Sequence, residues 1–282
     1  NNETYIRLLA VCQASLGDFP RAEQVLDEHL ETNPDVSMRF LHIRAVYAAD
    51  QGKFEEALSF MDLMAKLYPN SPRFVRYSRA PVLITVDDLG GAEAVLRSIV
   101  AGEEKTERVY ASMGLIGLDL ARGRLREALA EAQRGVALAE NLSDRAWLGM
   151  AHANRAFVER LAGHFDEALR QAELACPDPG QANIYDLGAL HLKALITLDM
   201  GRMDDFDREL EGIRQLVERE RYPKLMRAYH QLLGQRELRA NDVEKAIDRF
   251  WKALKLLPSP LGKSNADTDS ARYYFSMAEA YL

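Results

Sequence analysis

Apolar positions in this chain recur at intervals of three and four, in paired runs set apart by a short polar turn. Leu8, Leu9, Val11 and Cys12 make one run ahead of Gly17, and Phe19, Ala22, Val25, Leu26 and Leu30 make the next. Such spacing gathers apolar side chains on one face and predicts two amphipathic helices. The link between them has room only for a tight turn. Gly17 can close the first helix in the left-handed conformation at little steric cost, and the Asp18 side chain can cap the second. Asn33-Pro34, Tyr68-Pro69 and Leu257-Pro258 mark the ends of second helices, because proline cannot continue the α-helical ladder.

The unit then returns. GKFEEAL at residues 52–58 reappears as GHFDEAL at 163–169. Further copies run through GDFPRAEQVL from Gly17, GRLREALAEA from Gly123 and NDVEKAIDRF from Asn241, with a worn copy, DDLGGAEAVL, from Asp87. The poorest, GRMDDFDREL from Gly201, puts Phe206 where the others place alanine. The seven opening positions, 17, 52, 87, 123, 163, 201 and 241, lie between 35 and 40 residues apart, a period characteristic of helix-pair arrays. A small residue recurs where the two helices of a pair approach closely: Ala22, Ala57, Ala92, Ala128, Ala168 and Ala246. At 282 residues the chain sits at the upper limit for one globular core, and the copies favour a core extended unit by unit.

These residues resemble the tetratricopeptide repeat. That family's pattern has small residues at positions eight and twenty, Gly near fifteen, an aromatic at seventeen and Pro near thirty-two. Residues 38–71 match it with Leu41, Ala45, Gly52, Phe54, Ala57 and Pro69, and residues 3–36 with Ile6, Leu9, Ala10, Gly17, Phe19, Ala22 and Pro34. Residues 149–182 match with Ala156, Gly163, Phe165, Ala168 and Ala172, and 227–260 with Gly234, Ala246, Phe250, Ala253 and Pro258. Copies at 73–106, 109–142 and 187–220 complete a single array, with a terminal helix over 266–282. The resemblance implies an all-α, right-handed superhelical solenoid of stacked antiparallel helix pairs, of the degenerate kind found in large bacterial signalling and regulatory proteins. The last stretch, DSARYYFSMAEAYL, reads either as a capping helix or as the first helix of a further pair. Its apolar Tyr273, Tyr274, Phe275 and Met277 favour the second, as part of a longer chain.

Composition narrows the function. With 48% hydrophobic and 28% charged residues the chain has material for a packed core. Its formal net charge of −7 gives no general attraction to phosphate, which argues against nucleic acid as partner. No apolar run reaches the roughly 18 residues that would span a bilayer, so membrane insertion is not expected. Cys12 and Cys176 fall in different copies and read as free, buried thiols, which points to the cytoplasm. The sequence holds no phosphate-binding glycine loop, no nucleophile elbow and no HExxH, so neither an enzyme nor a bound cofactor is expected. His164 occupies a repeat turn and Asp204, Asp205 and Asp207 a helix start, where acidic residues complement the helix dipole; neither reads as a metal site. Arg73, Arg76 and Arg79 recur every third residue, as a solvated face or as a contact for an anionic partner. Pro81 stands inside a first helix, as a tolerated kink or as a break that shapes a groove.

What the resemblance implies about binding lies on the inner face of the first helices, at family positions two, five, nine and twelve. Carried over, these give Arg39 and His42, then Tyr77, Tyr110 and Met113, then Met150, Phe157 and Arg160, then His191. Val11, Ile43 and Ser78 stand where a chaperone-binding clamp would carry polar groups, which excludes that specialisation. The expectation is a non-catalytic protein-interaction scaffold whose groove takes an apolar or amphipathic peptide segment, with Arg39 and Arg160 as rim charges. The same stripe could serve packing between copies. A second expectation is a sensory or regulatory array acting on another domain of a larger signalling protein, such as a kinase, cyclase or transcription activator.

Overall fold

A computed structural model describes residues 2–15, 18–32, 38–69, 72–176, 182–183, 186–220 and 225–256, with positions 276, 278 and 280. Regular structure among them is α-helical, in fourteen helices taken two by two. They are α1 (Asn2–Ser15) and α2 (Phe19–Thr32), α3 (Met38–Asp50) and α4 (Phe54–Leu67), then α5 (Pro72–Thr85) and α6 (Leu89–Val100). There follow α7 (Lys105–Ala121) and α8 (Leu125–Glu140), α9 (Arg145–Leu161) and α10 (Phe165–Ala175), α11 (Leu187–Asp199) and α12 (Met203–Glu220), and α13 (Met226–Arg239) and α14 (Val243–Lys255). Gly17, Asn33-Pro34 and Leu257-Pro258 lie outside the described residues, as does most of 266–282.

The repeated heptapeptide has a mechanical explanation. From α3/α4 to α13/α14 each pair is joined by three residues, and the middle link of the motif ends its helix in the same way. In the fifth copy the Gly163 N–H donates to Arg160 O at 3.0 Å and the His164 N–H to Glu159 O at 2.9 Å. Those two bonds satisfy carbonyls that a helix end leaves without partners, and they require a left-handed residue at position 163. Gly52, Gly123, Gly163 and Gly201 supply it with φ from 69° to 78°, and Asp87 and Asn241 with φ of 62° and 61°. The next carbonyl already starts the second helix, accepting from Ala168 N in this copy and from Ala57, Ala92, Ala128 and Ala246 in the others. That alanine is 0% exposed in all five, so the turn and the close approach of the helices are specified together. In the sixth copy Phe206 takes the position, still 0% exposed, in a cluster that includes Ala194, Leu198, Leu210 and Ile213.

Two compact units divide the chain. One comprises α1–α6 and the other α7–α14. In the first, Ala10, Ala22, Leu26, Phe40 and Tyr47 form one core cluster, and Leu41, Ala45, Ala57, Met61 and Met64 form another. Cys12 is exposed rather than buried, because it follows Tyr5 and Leu8 at helical spacing on the face of α1 that solvent reaches, while Ala10 turns to the core. Cys176, at the end of α10, is buried and free. α5 runs on through Pro81, and the Thr85 hydroxyl donates to the Pro81 carbonyl at 3.0 Å. Arg79 on the same helix reaches Asp62 of α4 at 2.7 Å, which ties the two neighbours at their surface.

In the second unit each first helix also touches the next: α7 packs on α9, α9 on α11 and α11 on α13. α11 also contacts α10 and α12, and nine of its 13 residues are buried. None of the described helices is long and apolar enough to cross a membrane.

Candidate functional site

Three of the residues expected on the inner face, Arg39, His42 and Tyr77, belong to the first unit; the other six belong to the second. Arg39 and Tyr77 are helical, in α3 and α5, and their side chains lie outside the described residues. His42 is half-buried in α3, and burial holds its imidazole below the usual histidine range, in the neutral form at neutral pH.

The second unit separates the six by accessibility. His191 is only 6% exposed on α11, which packs against α9, α10, α12 and α13. Met113 packs against the cluster of Val109, Val136, Ala139 and Ala151, and Tyr110 is half-buried. Met150 and Phe157 on α9 are open, at 44% and 38% exposure, and Leu161 is open at 48%. Intervals of seven and four place these three on one line of the helix, about 17 Å long at 1.5 Å per residue. Leu161 falls one place beyond the family's twelfth position, so the carried-over positions pass over it; its apolar side chain four residues after Phe157 is the signal that finds it.

Arg160 is already engaged. Its Nε donates to Asp199 Oδ2 of α11 at 2.6 Å. The same carboxylate receives Arg239 of α13, whose Nη1 also donates to the Leu198 carbonyl at 3.0 Å. A guanidinium, a carboxylate and a second guanidinium thus bind the C-terminal ends of three successive first helices. Asp199 and Arg239 were not among the expected residues, although both stand two places before a turn residue, Gly201 and Asn241.

A polar network fixes α9 to α10 behind the open stripe. His152 Nδ1 lies 2.7 Å from Gln171 Oε1, and Gln171 Nε2 donates to Glu167 Oε1 at 2.8 Å. Arg155 joins Glu167 at 2.9 Å and the buried Glu159 at 3.4 Å, and His164 in the turn meets Glu159 at 2.8 Å. The bond from Arg170, with the help of Gln171 and Arg155, lowers the Glu167 carboxyl to about 2 against its burial. Such partners satisfy groups that would be costly if buried alone, and they hold the helix in one orientation. Asp205 pairs with Arg202 and Arg208, and Asp207 with Arg236, so the acidic start of α12 is used in ion pairs. Among the described residues no group of three His, Cys, Asp or Glu is placed to hold a metal ion.

Helix pairs closed by a left-handed turn, with a small residue at the crossing and a stack of first helices, define a helical-repeat fold. Three segments match this family: the model described as "Tetratricopeptide repeat" matches residues 7–28, 38–62 and 149–173. No curated protein matches the sequence. Solved structures share the fold at low identity. A tetratricopeptide repeat protein from Parabacteroides merdae superposes with a TM-score of 0.61 at 14% identity, covering 99% of this chain and 98% of that one. The apo form of the quorum sensor NprR from B. thuringiensis gives 0.56 at 13% identity, over 99% of this chain and 87% of that one. NprR in complex with its cognate peptide NprX gives 0.54 at 16% identity, over 98% and 86%.

Proposed function

We propose that the chain is a non-catalytic interaction scaffold that holds a peptide or helical segment of a partner protein on the first helices of its second unit, with Met150, Phe157 and Leu161 as apolar anchors. The single observation behind this reading is the open apolar stripe on α9. Three large side chains in line, each more than a third exposed, leave apolar area in water that a partner can cover, at roughly 25 cal/mol per Å² buried. Arg160, at its end, is held by Asp199. Repeat arrays bind segments of this sort in grooves read by a few apolar anchors. The fold likeness to a protein that takes a cognate peptide is consistent with the reading.

Selection of random 16-residue peptides on display, against the chain and against a Phe157→Asp/Leu161→Asp variant of equal helicity, tests it. Peptides enriched on the parent and lost on the variant support the stripe as the binding surface. Peptides retained equally by both place binding elsewhere and overturn it. A second reading, a regulatory array acting on another domain of a larger signalling polypeptide, draws support from the fold likeness to a quorum sensor. It expects no peptide to depend on the stripe when the chain is alone.

A further inference from the structure

We infer that the segment taken by this surface is acidic: an amphipathic peptide with Asp or Glu interleaved among its apolar side chains. The inference rests on the peptide-binding reading above and adds the chemistry of the ligand. Shape gives the first support. Gly123 and Gly163 close equivalent turns 40 residues apart, so Gly117 and Ala121 of α7 hold the positions that Phe157 and Leu161 hold on α9. Both are exposed, and a Cβ added at Gly117 would meet no atom within 4 Å. Large apolar side chains on one helix therefore adjoin a glycine and an alanine on the next, a trough into which a partner's own apolar side chains can settle.

Charge gives the second support. The first helices of the unit, α7, α9, α11 and α13, carry nine Lys and Arg against five Asp and Glu, a net +4. Their partners, α8, α10, α12 and α14, carry ten against fifteen, a net −5. The layer that holds the open stripe thus carries a formal excess of positive charge in a chain whose formal charge is −7, with Arg155, Lys193 and Arg236 paired to Glu167, Glu209 and Asp207 of the second helices. At the end of the stripe the excess has a geometry, since Arg160 and Arg239 share the one carboxylate of Asp199. A carboxylate arriving beside Phe157 and Leu161 meets guanidinium groups already held in position, which saves the entropy of ordering them. A lysine arriving there meets a triad of net positive charge. Complementarity of this kind sets partner choice more than raw affinity.

Three fluorescent peptides with one apolar pattern, C-terminally amidated and carrying Glu, Gln or Lys at every polar position, make the test by anisotropy. Binding to the full chain should be at least about tenfold tighter for the Glu peptide than for the Gln peptide, and weakest for the Lys peptide. The advantage should shrink as salt rises from about 50 mM to about 500 mM, as screening requires. Gly117→Phe, whose side chain enters open space and leaves the fold intact by circular dichroism, should weaken the Glu peptide at least about tenfold. Equal affinity for all three peptides, each lost in Gly117→Phe, would overturn the acidic preference while leaving peptide binding in place. No binding by any, or binding that Gly117→Phe does not change, would overturn both.

Discussion

Gly234→Ala isolates what the small position in a helix pair does. Gly234 is buried in α13, and a Cβ built on it lies 2.4 Å from Phe250 Cε1, 2.7 Å from Cδ1 and 2.9 Å from Cζ. Carbon atoms at rest sit about 3.5–4.0 Å apart, so the added methyl overlaps the ring by more than 1 Å. The ring has nowhere to go, being 0% exposed in a cluster with Ala246 and Ala280, lined by Leu238, Val243, Ile247 and Leu254. Overpacking of this kind costs about 1–3 kcal/mol, and the close contact argues for the upper half of that range. Against it stands a gain of about 0.8–1.0 kcal/mol in helix propensity. The net expectation is a loss of about 1–2 kcal/mol. Gly212→Ala in α12 is the control, because nothing lies within 4 Å of its Cβ and only the propensity gain remains. Urea unfolding followed by circular dichroism should move the two midpoints in opposite directions. Gly234→Ala/Phe250→Leu, which shortens the obstructing side chain, should be destabilised by less than the sum of its single changes. Were Gly234→Ala to stabilise as much as Gly212→Ala, the close-approach account of the pair would be wrong.

Other outcomes follow from the turns, the ion pairs and the network. Asp87→Gly and Asn241→Gly relieve left-handed strain at φ of 62° and 61° and should each raise stability by about 0.5–1 kcal/mol, whereas Gly163→Ala should lower it by about 1–2 kcal/mol in the same urea experiment. Asp199→Ala removes the carboxylate that Arg160 and Arg239 share; with the guanidiniums partly open to solvent the cost should be about 1 kcal/mol, and hydrogen exchange should quicken at the ends of α9, α11 and α13 together. Glu167 is lowered to about 2 from a usual 4.5, so its contribution is present above about pH 4.5 and disappears as pH falls towards 2. Glu167→Gln should accordingly flatten the acid limb of the stability profile over that window, and an unchanged limb would count against the network.

The helix pairs and their turns could be read directly from residue order because everything that specifies them is local. Gly, aromatic and Ala at fixed offsets are the left-handed closure, the start of the next helix and the crossing point, all within one span of seven residues. Accessibility is a different kind of quantity. Met150 and His191 both occupy inner-face positions on first helices with four neighbours each, yet one is 44% exposed and the other 6%. Apolar spacing tells which face of a helix seeks cover, not whether cover arrives. Cys12 illustrates the same gap, as does the Asp199 ion-pair ladder, whose members lie about forty residues apart along the chain.

The two-bond closure within pairs also determines where this architecture can accept new sequence. Within pairs the link is three residues throughout the described copies, because lengthening it would break both closing bonds and move the buried alanine out of register. Between pairs it ranges from four residues at 101–104 to eleven at 176–186. The growth in period from 35 towards 40 residues is therefore taken up in the helices and in the links between pairs. An epitope, a reporter or a whole folded module grafted into a link between pairs would leave every pair intact, and the same insert at a glycine turn would split one.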